Sequence, residues 1–217
     1  MMTALMQVST KPAIRGRRPA SAESGREALL AAAMGAFARL GYEGSSLRAL
    51  GLAAGVDMAL VARLFGSKSA LWDAVVDRLA ERQADQAETL ATLADLSRED
   101  PAEAFRRFIR FFADLSFEMP AFPAFLLQEA ANSGERLDTL VARLVQPFRD
   151  RCRPLIAAAM EAGVVRGSDP DIVFGMVVSA ISLPLVSPTL FTGEGAITAA
   201  LRDSLADHAI ALFVSRP

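Results

Sequence analysis

The chain is poor in the residues on which most catalytic and metal chemistry depends. Of its 217 residues, one is Cys, one is His, one is Trp and one is Tyr. A lone Cys152 excludes an intramolecular disulfide framework and every multi-cysteine zinc site. A lone His208 removes paired-histidine metal motifs and argues against a Ser-His-Asp triad. No phosphate loop and no nucleophile–base pair can be identified, so neither enzymatic activity nor a metal or cofactor is expected. Sustained period-two alternation between turn residues is missing, which argues against strands. Met1 to Ala13 is mildly apolar but precedes its basic residues, the wrong order for a secretory leader. A cytoplasmic protein is expected.

Charge is absent over one long stretch, Ile172 to Gly193, 22 residues in all. That length is enough to cross a bilayer. Pro184, Pro188, Thr189, Thr192 and three serines interrupt it, however, and no basic cluster flanks either end. A helix apolar all round is also expected where it is buried on two sides, between its own domain and a partner subunit. The last two helices, Asp171 to Leu185 and Ala196 to Val214, are therefore the expected homodimer interface.

What is present is a core-forming composition, 52% hydrophobic and 22% charged. Net charge is −2, but it is unevenly placed. Residues 1–68 carry nine basic and four acidic side chains; the remainder carries 14 and 21. A basic head on an acidic body implies that only the head meets a polyanion. Apolar residues recur at helical spacing, predicting an all-α fold. Expected helices are Ser24–Leu40, Leu47–Ala54, Met58–Phe65 and one from Lys68 past Leu90. Another starts at Asp100-Pro101, followed by Ala124–Ala131. A long helix is expected from Leu137 towards Gly163, kinked at Pro147 and Pro154. The last two are expected from Asp169-Pro170 and over Glu194–Val214.

Residues 46–65 have the pattern of a helix-turn-helix. Steeply crossed helices need a small residue where backbones touch, which Gly51 supplies, and a tight turn, which Gly55 supplies. Leu47, Leu50, Ala54, Val56, Val61 and Leu64 offer a shared apolar underside. The wider run, Arg26, Leu30, Ala33, Phe37, Gly41 to Arg48, Ala54-Gly55-Val56, Phe65 to Lys68 and Leu71, resembles the DNA-binding head of the TetR/AcrR family of bacterial repressors. The outline of about nine helices resembles that family too.

The resemblance implies a basic arm (1–21), a three-helix DNA-binding head (22–68) and a C-terminal ligand-binding and dimerisation domain (69–217). It implies a homodimer that holds double-stranded operator DNA and releases it when a small molecule binds. Carried over by position, Ser45, Ser46, Arg48 and Lys68 should meet phosphates. Asp57, Met58, Ala59, Ala62 and Arg63 should face the major groove, Arg63 alone being able to grip guanine in bidentate fashion. Two departures weaken direct readout: Ala62 replaces a common aromatic, and Met58 and Leu60 replace polar residues. Lys11, Arg15, Arg17 and Arg18 can compensate as a minor-groove arm, and a solvated disordered tail is the competing reading of the same residues.

Seven of 13 Phe fall between Phe105 and Phe125. Phe105, Phe108, Phe112 and Phe125, with Gln128 and Glu129 as polar partners, are the candidate pocket for a small apolar or amphipathic effector. Plain core packing competes with that reading for most of these rings. His208 and Cys152 read as packed residues. Besides a ligand-released repressor, two functions stay open: a dimeric binding protein of the same fold without operator recognition, and a helical enzyme.

Overall fold

Helix starts are set by side chains that accept otherwise unpaired backbone N–H groups. Ser46, Asp57 and Ser67 cap three successive helices in this way, each accepting from the residue three ahead. Asp100 does the same for Glu103, with Pro101 in the first turn, where its missing N–H costs nothing. The computed structural model describes residues 22–193 and 195–215. The basic arm, with Lys11, Arg15, Arg17 and Arg18, lies outside the described residues.

The elements run α1 (Ala22–Leu40), α2 (Leu47–Ala54), α3 (Met58–Leu64), α4 (Lys68–Ala84), α5 (Ala87–Glu99) and α6 (Pro101–Glu118). They continue with α7 (Ala121–Ala130), α8 (Glu135–Leu140), a wide π turn over Val141–Val145, and α9 (Gln146–Glu161). The chain closes with α10 (Pro170–Val186), the short α11 (Pro188–Phe191) and α12 (Ala199–Phe213). The all-α expectation holds. A lone bridge, Val165 to Val214, ties the end of α12 to the turn after α9.

Two hydrophobic cores organise the molecule. The first joins α1 to α4 through Leu29, Ala33, Phe37, Leu50, Val61, Leu71, Trp72 and Val76, and it includes Phe125, Leu140 and Leu144 from the body. The second gathers Leu90, Phe105, Phe108, Ile109, Phe148, Cys152, Ile156, Val177 and Ile181 from α5, α6, α9 and α10, with α12 across them. The head is thus packed against α7 and the α8–π segment.

Several boundaries differ from expectation. The fourth helix ends at Ala84 rather than passing Leu90, because Leu71 to Leu79 face the first core while Leu90 and Leu93 face the second. On a straight helix Leu79 and Leu90, eleven residues apart, would share one face; a turn at Asp85-Gln86 instead redirects the chain, so that the two serve different cores. The helix expected at Ala124 starts at Ala121, since Pro123 falls in the first turn and forfeits no hydrogen bond. Just upstream of Pro147, where the sequence suggests a kink, the helix passes through the π turn. Pro147 cannot donate to the carbonyl of Arg143 and its ring crowds that turn, so the helix widens there. The last helix starts at Ala199, capped by Thr198, not at Glu194. His208 is exposed rather than packed, its ring nitrogen 2.8 Å from the Ser204 carbonyl oxygen.

Candidate functional site

The α2–α3 pair has the close contact that its glycines imply. A Cβ on Gly51 would lie 3.1 Å from Val61 Cγ2 and 3.2 Å from the Val56 carbonyl. Gly55 sits at φ +67°, where it caps α2 and reverses the chain. Val61 is turned fully inward and Leu60 packs towards Gly25 of α1. The opposite side of α3 is therefore free: Met58, Ala59, Ala62 and Arg63 are all exposed. Asp57 is exposed as well, but one carboxylate oxygen accepts the Leu60 N–H at 2.8 Å. Among the exposed residues of α3, only Arg63 brings hydrogen-bonding donors.

Around this face the candidate phosphate contacts divide. Arg48 is exposed in the first turn of α2, and Ser46 caps that helix. Ser45 is only 6% exposed and donates its hydroxyl to the Tyr42 carbonyl at 2.8 Å. Lys68 turns inward too. Its ammonium donates to the Tyr42 carbonyl at 2.9 Å and the Ser45 carbonyl at 3.2 Å, and lies 4.1 Å from the Tyr42 ring centroid. Its charge fastens the α1–α2 turn rather than standing out towards solvent.

The same turn is clasped to the body. Arg136 stacks on the Tyr42 ring at 4.1 Å and donates to Glu129 Oε2 at 3.2 Å. Glu129, buried on α7, accepts the Trp72 indole N–H at 3.2 Å with its other oxygen. Gln128 lies against Gly41, where an added Cβ would come within 2.9 Å of its amide nitrogen. Phe125 stands between Phe37 and Trp72 in the first core. Phe125, Gln128 and Glu129 therefore sit at the seam between head and body.

The apolar cavity is elsewhere, between α4, α6, α7, the π turn, α9 and α10. It has a volume of about 160 Å³ and is walled by Phe112, Leu115, Phe122, Leu126, Leu144, Phe148, Phe174, Val178 and Leu183, with Gln83, Ser116, Ser179 and Ser182 as polar groups. Of the six candidate pocket residues only Phe112 is on this wall. Phe105 and Phe108 are fully packed within the second core. Leu144 belongs to the first core and Phe148 to the second, so the cavity opens where the two cores meet. Gln83 is not among the residues that the sequence pattern singles out. A signal for it exists all the same: it falls four residues after Leu79 and eight after Val75, a polar group on the buried stripe of α4.

Two further features frame the site. Ile172 and Met176 on α10, Leu190 and Phe191 on α11 and Leu212 on α12 are large apolar side chains facing solvent. Gly175 leaves open space beside them. Among the described residues, no helix is long and apolar enough to cross a membrane, and no cluster of His, Cys, Asp and Glu could hold a metal ion.

The chain's similarities match this arrangement. The sequence model of the family described as bacterial regulatory proteins, tetR family, matches residues 29–75, which span α1 to the middle of α4. The chain is 28% identical over 161 residues to the HTH-type transcriptional regulator RutR of Escherichia coli K12, covering 72% of this chain and 71% of RutR. In fold it is similar to HlyIIR, a hemolysin II transcriptional regulator (TM-score 0.68, 18% identity, 90% of this chain and 100% of that one). It is also similar to AibR, solved with isovaleryl coenzyme A and operator DNA (TM-score 0.66, 20% identity, 87% and 97% covered). The head thus matches the sequence model of the tetR family of bacterial regulatory proteins, and the chain as a whole has the fold of HlyIIR and AibR.

Proposed function

We propose that the protein is a cytoplasmic, homodimeric repressor that leaves its operator when a small molecule enters the cavity between the two cores. In this reading residues 22–68 form the DNA-binding head, the arm before them adds minor-groove and phosphate contacts, and residues 69–217 bind effector and partner. Arg63 reads bases, Arg48 and the amides at the starts of α2 and α4 hold phosphates, and Met58, Ala59 and Ala62 make apolar contacts.

The observation that carries the reading is the course of α4. It begins at Lys68, beneath the head, and reaches the cavity wall at Gln83. Fifteen residues of helix span about 22 Å. Occupation of the cavity would bear on one end of a rod whose other end sets the head. Two recognition helices must lie about 34–36 Å apart to enter successive major grooves, so a small swing suffices. A coupling of roughly 1–3 kcal/mol already changes affinity 5- to 150-fold, and DNA must weaken effector binding by the same factor. AibR, of similar fold, was solved with both isovaleryl coenzyme A and operator DNA, which supports a protein that takes a small molecule as well as DNA.

Binding to the DNA upstream of its own coding sequence, followed by gel shift across a salt series, tests this. Specific binding that resists excess competitor DNA is the expected result. A second reading draws on the exposed face of α3, where only Arg63 can donate to a base: a dimeric binding protein without operator recognition. It predicts the same weak binding to every duplex. Relatives that are transcription regulators weigh against an enzyme.

A further inference from the structure

We propose that the cavity takes an uncharged molecule with an apolar body and one hydrogen-bonding head group (an amide, ketone or alcohol), anchored by the side-chain amide of Gln83. This rests on reading the cavity as the effector site and names the chemistry of its occupant.

Gln83 is only 7% exposed and lines the cavity, and its side-chain amide makes no hydrogen bond to another described residue. Unlike Arg149 Nε and Asp171 Oδ1, which are sealed off without a hydrogen-bond partner, the Gln83 amide is open to whatever fills the cavity. The group faces the cavity, where a ligand can satisfy it. An amide both donates and accepts, so it can hold a carbonyl through Nε2 or a hydroxyl through Oε1. Ser116 and Ser182 face the same space, their hydroxyl oxygens 3.5 Å apart, and supply a second polar point.

The rest of the wall decides what is refused. None of the residues lining it is Asp, Glu, Lys, Arg or His. A carboxylate, phosphate or ammonium would enter without a counter-charge and lose its hydration. Four phenylalanines favour a ring or branched chain. The volume of about 160 Å³ is close to the roughly 150 Å³ of an apolar cavity known to admit benzene, so the buried body is about one ring in size. The anchor also has a mechanical consequence. Gln83 is the next-to-last residue of α4, and Leu71, Val75 and Leu79 of the same helix lie in the head's core.

The test uses the full-length protein and four probes with one apolar body: 3-phenylpropionamide, 3-phenylpropionate, 3-phenylpropylamine and propylbenzene, titrated calorimetrically without DNA. The amide should bind about tenfold or more tighter than either charged probe. Gln83→Met, nearly isosteric, should weaken the amide about tenfold and leave propylbenzene unchanged or tighter. Should that variant fail to fold, Ser182→Ala and the ranking of the four probes on the wild-type protein still decide the matter. A charged probe binding as well as the amide, no probe binding, or Gln83→Met with undiminished amide affinity would overturn the proposal. Gel shifts with the same probes separate the two readings. Amide binding without DNA release removes the regulatory role and keeps the cavity chemistry; release by a charged compound that occupies the cavity does the reverse.

Discussion

Glu129 accepts the Trp72 indole N–H at 3.2 Å across 57 residues of sequence, joining the helix that leaves the head to the helix that roofs the body. Its second oxygen takes Arg136, which in turn covers Tyr42. One buried carboxylate thus holds α4, α7 and the α1–α2 turn together.

Removing a single partner from such a buried pair leaves the other charge uncompensated. Arg136→Met is expected to lower stability by about 2 kcal/mol, the lower side of the usual range because the guanidinium is partly exposed. The exposed pair Arg98–Asp95 serves as control, and Arg98→Met should cost no more than about 0.5 kcal/mol. Urea unfolding followed by Trp72 emission checks both. Equal losses would show that the clasp carries no special weight.

The interface needs a different probe from the one that the charge-free stretch suggests. Ile181, in the middle of that stretch, is fully buried in the second core, so Ile181→Glu should unfold the subunit. Met176 is 54% exposed on the outer stripe of α10. Met176→Glu is expected to give folded monomers on a sizing column with light scattering. A fully dimeric Met176→Glu protein would move the interface away from α10.

DNA affinity should lean on the arm. Between residues 22 and 68 there are five basic side chains (Arg26, Arg39, Arg48, Arg63, Lys68) and four acidic ones (Glu23, Glu27, Glu43, Asp57), a net of +1. The other four positive charges of the first 68 residues are Lys11, Arg15, Arg17 and Arg18. Deleting residues 1–18 should therefore flatten the salt dependence, by about 0.9 in logarithmic slope for each DNA phosphate that the arm neutralises. Arg48→Ala should weaken all sequences alike. Arg63→Ala should lose about 1–3 kcal/mol of base discrimination at one position. Anisotropy titrations at several salt concentrations distinguish these outcomes, and an unchanged slope after arm deletion would make the arm a bystander.

Burial pushes the Cys152 thiol up from 9.0 to about 12, the Arg151 charge opposing it only in part. The native protein should resist a thiol-specific reagent at pH 8 and react once unfolded. The raised value also sets a sign. The folded state holds this proton more tightly, so its contribution is intact below pH 9 and is lost as pH climbs towards 12. Cys152→Ala should remove that part of the alkaline loss, seen in unfolding midpoints at pH 8 and 11.

How far the sequence could be read depended on whether the physics was local. Ser46, Asp57, Ser67 and Asp100 announce helix starts because a cap acts within three residues. Gly51 and Gly55 announce the crossing for the same reason. The end of α4 had no such mark. Asp85-Gln86 contains neither Gly nor Pro, and the break exists because two distant cores claim opposite ends of the segment. Periodicity showed that Phe105, Phe108 and Phe112 share a face, but not which neighbours close over the first two and leave a gap by the third. Lys68 looked free for phosphate because nothing in its surroundings announces the carbonyls of Tyr42 and Ser45, 26 and 23 residues away.

The π turn gives α8 and α9 a common phase. Leu140, Leu144, Phe148 and Cys152 are buried at intervals of four, although an α-helix drifts about 40° at each such step. A wider turn takes up the drift, letting Leu140 and Leu144 serve one core and Phe148 and Cys152 the other. This stretch should accept exchanged side chains far more readily than a change in length. Deleting Ala142 would turn everything before it by about 100° relative to Phe148, carrying Leu140 out of its core and Arg136 off Tyr42. Helix content would scarcely register that loss in circular dichroism, whereas Trp72 emission would.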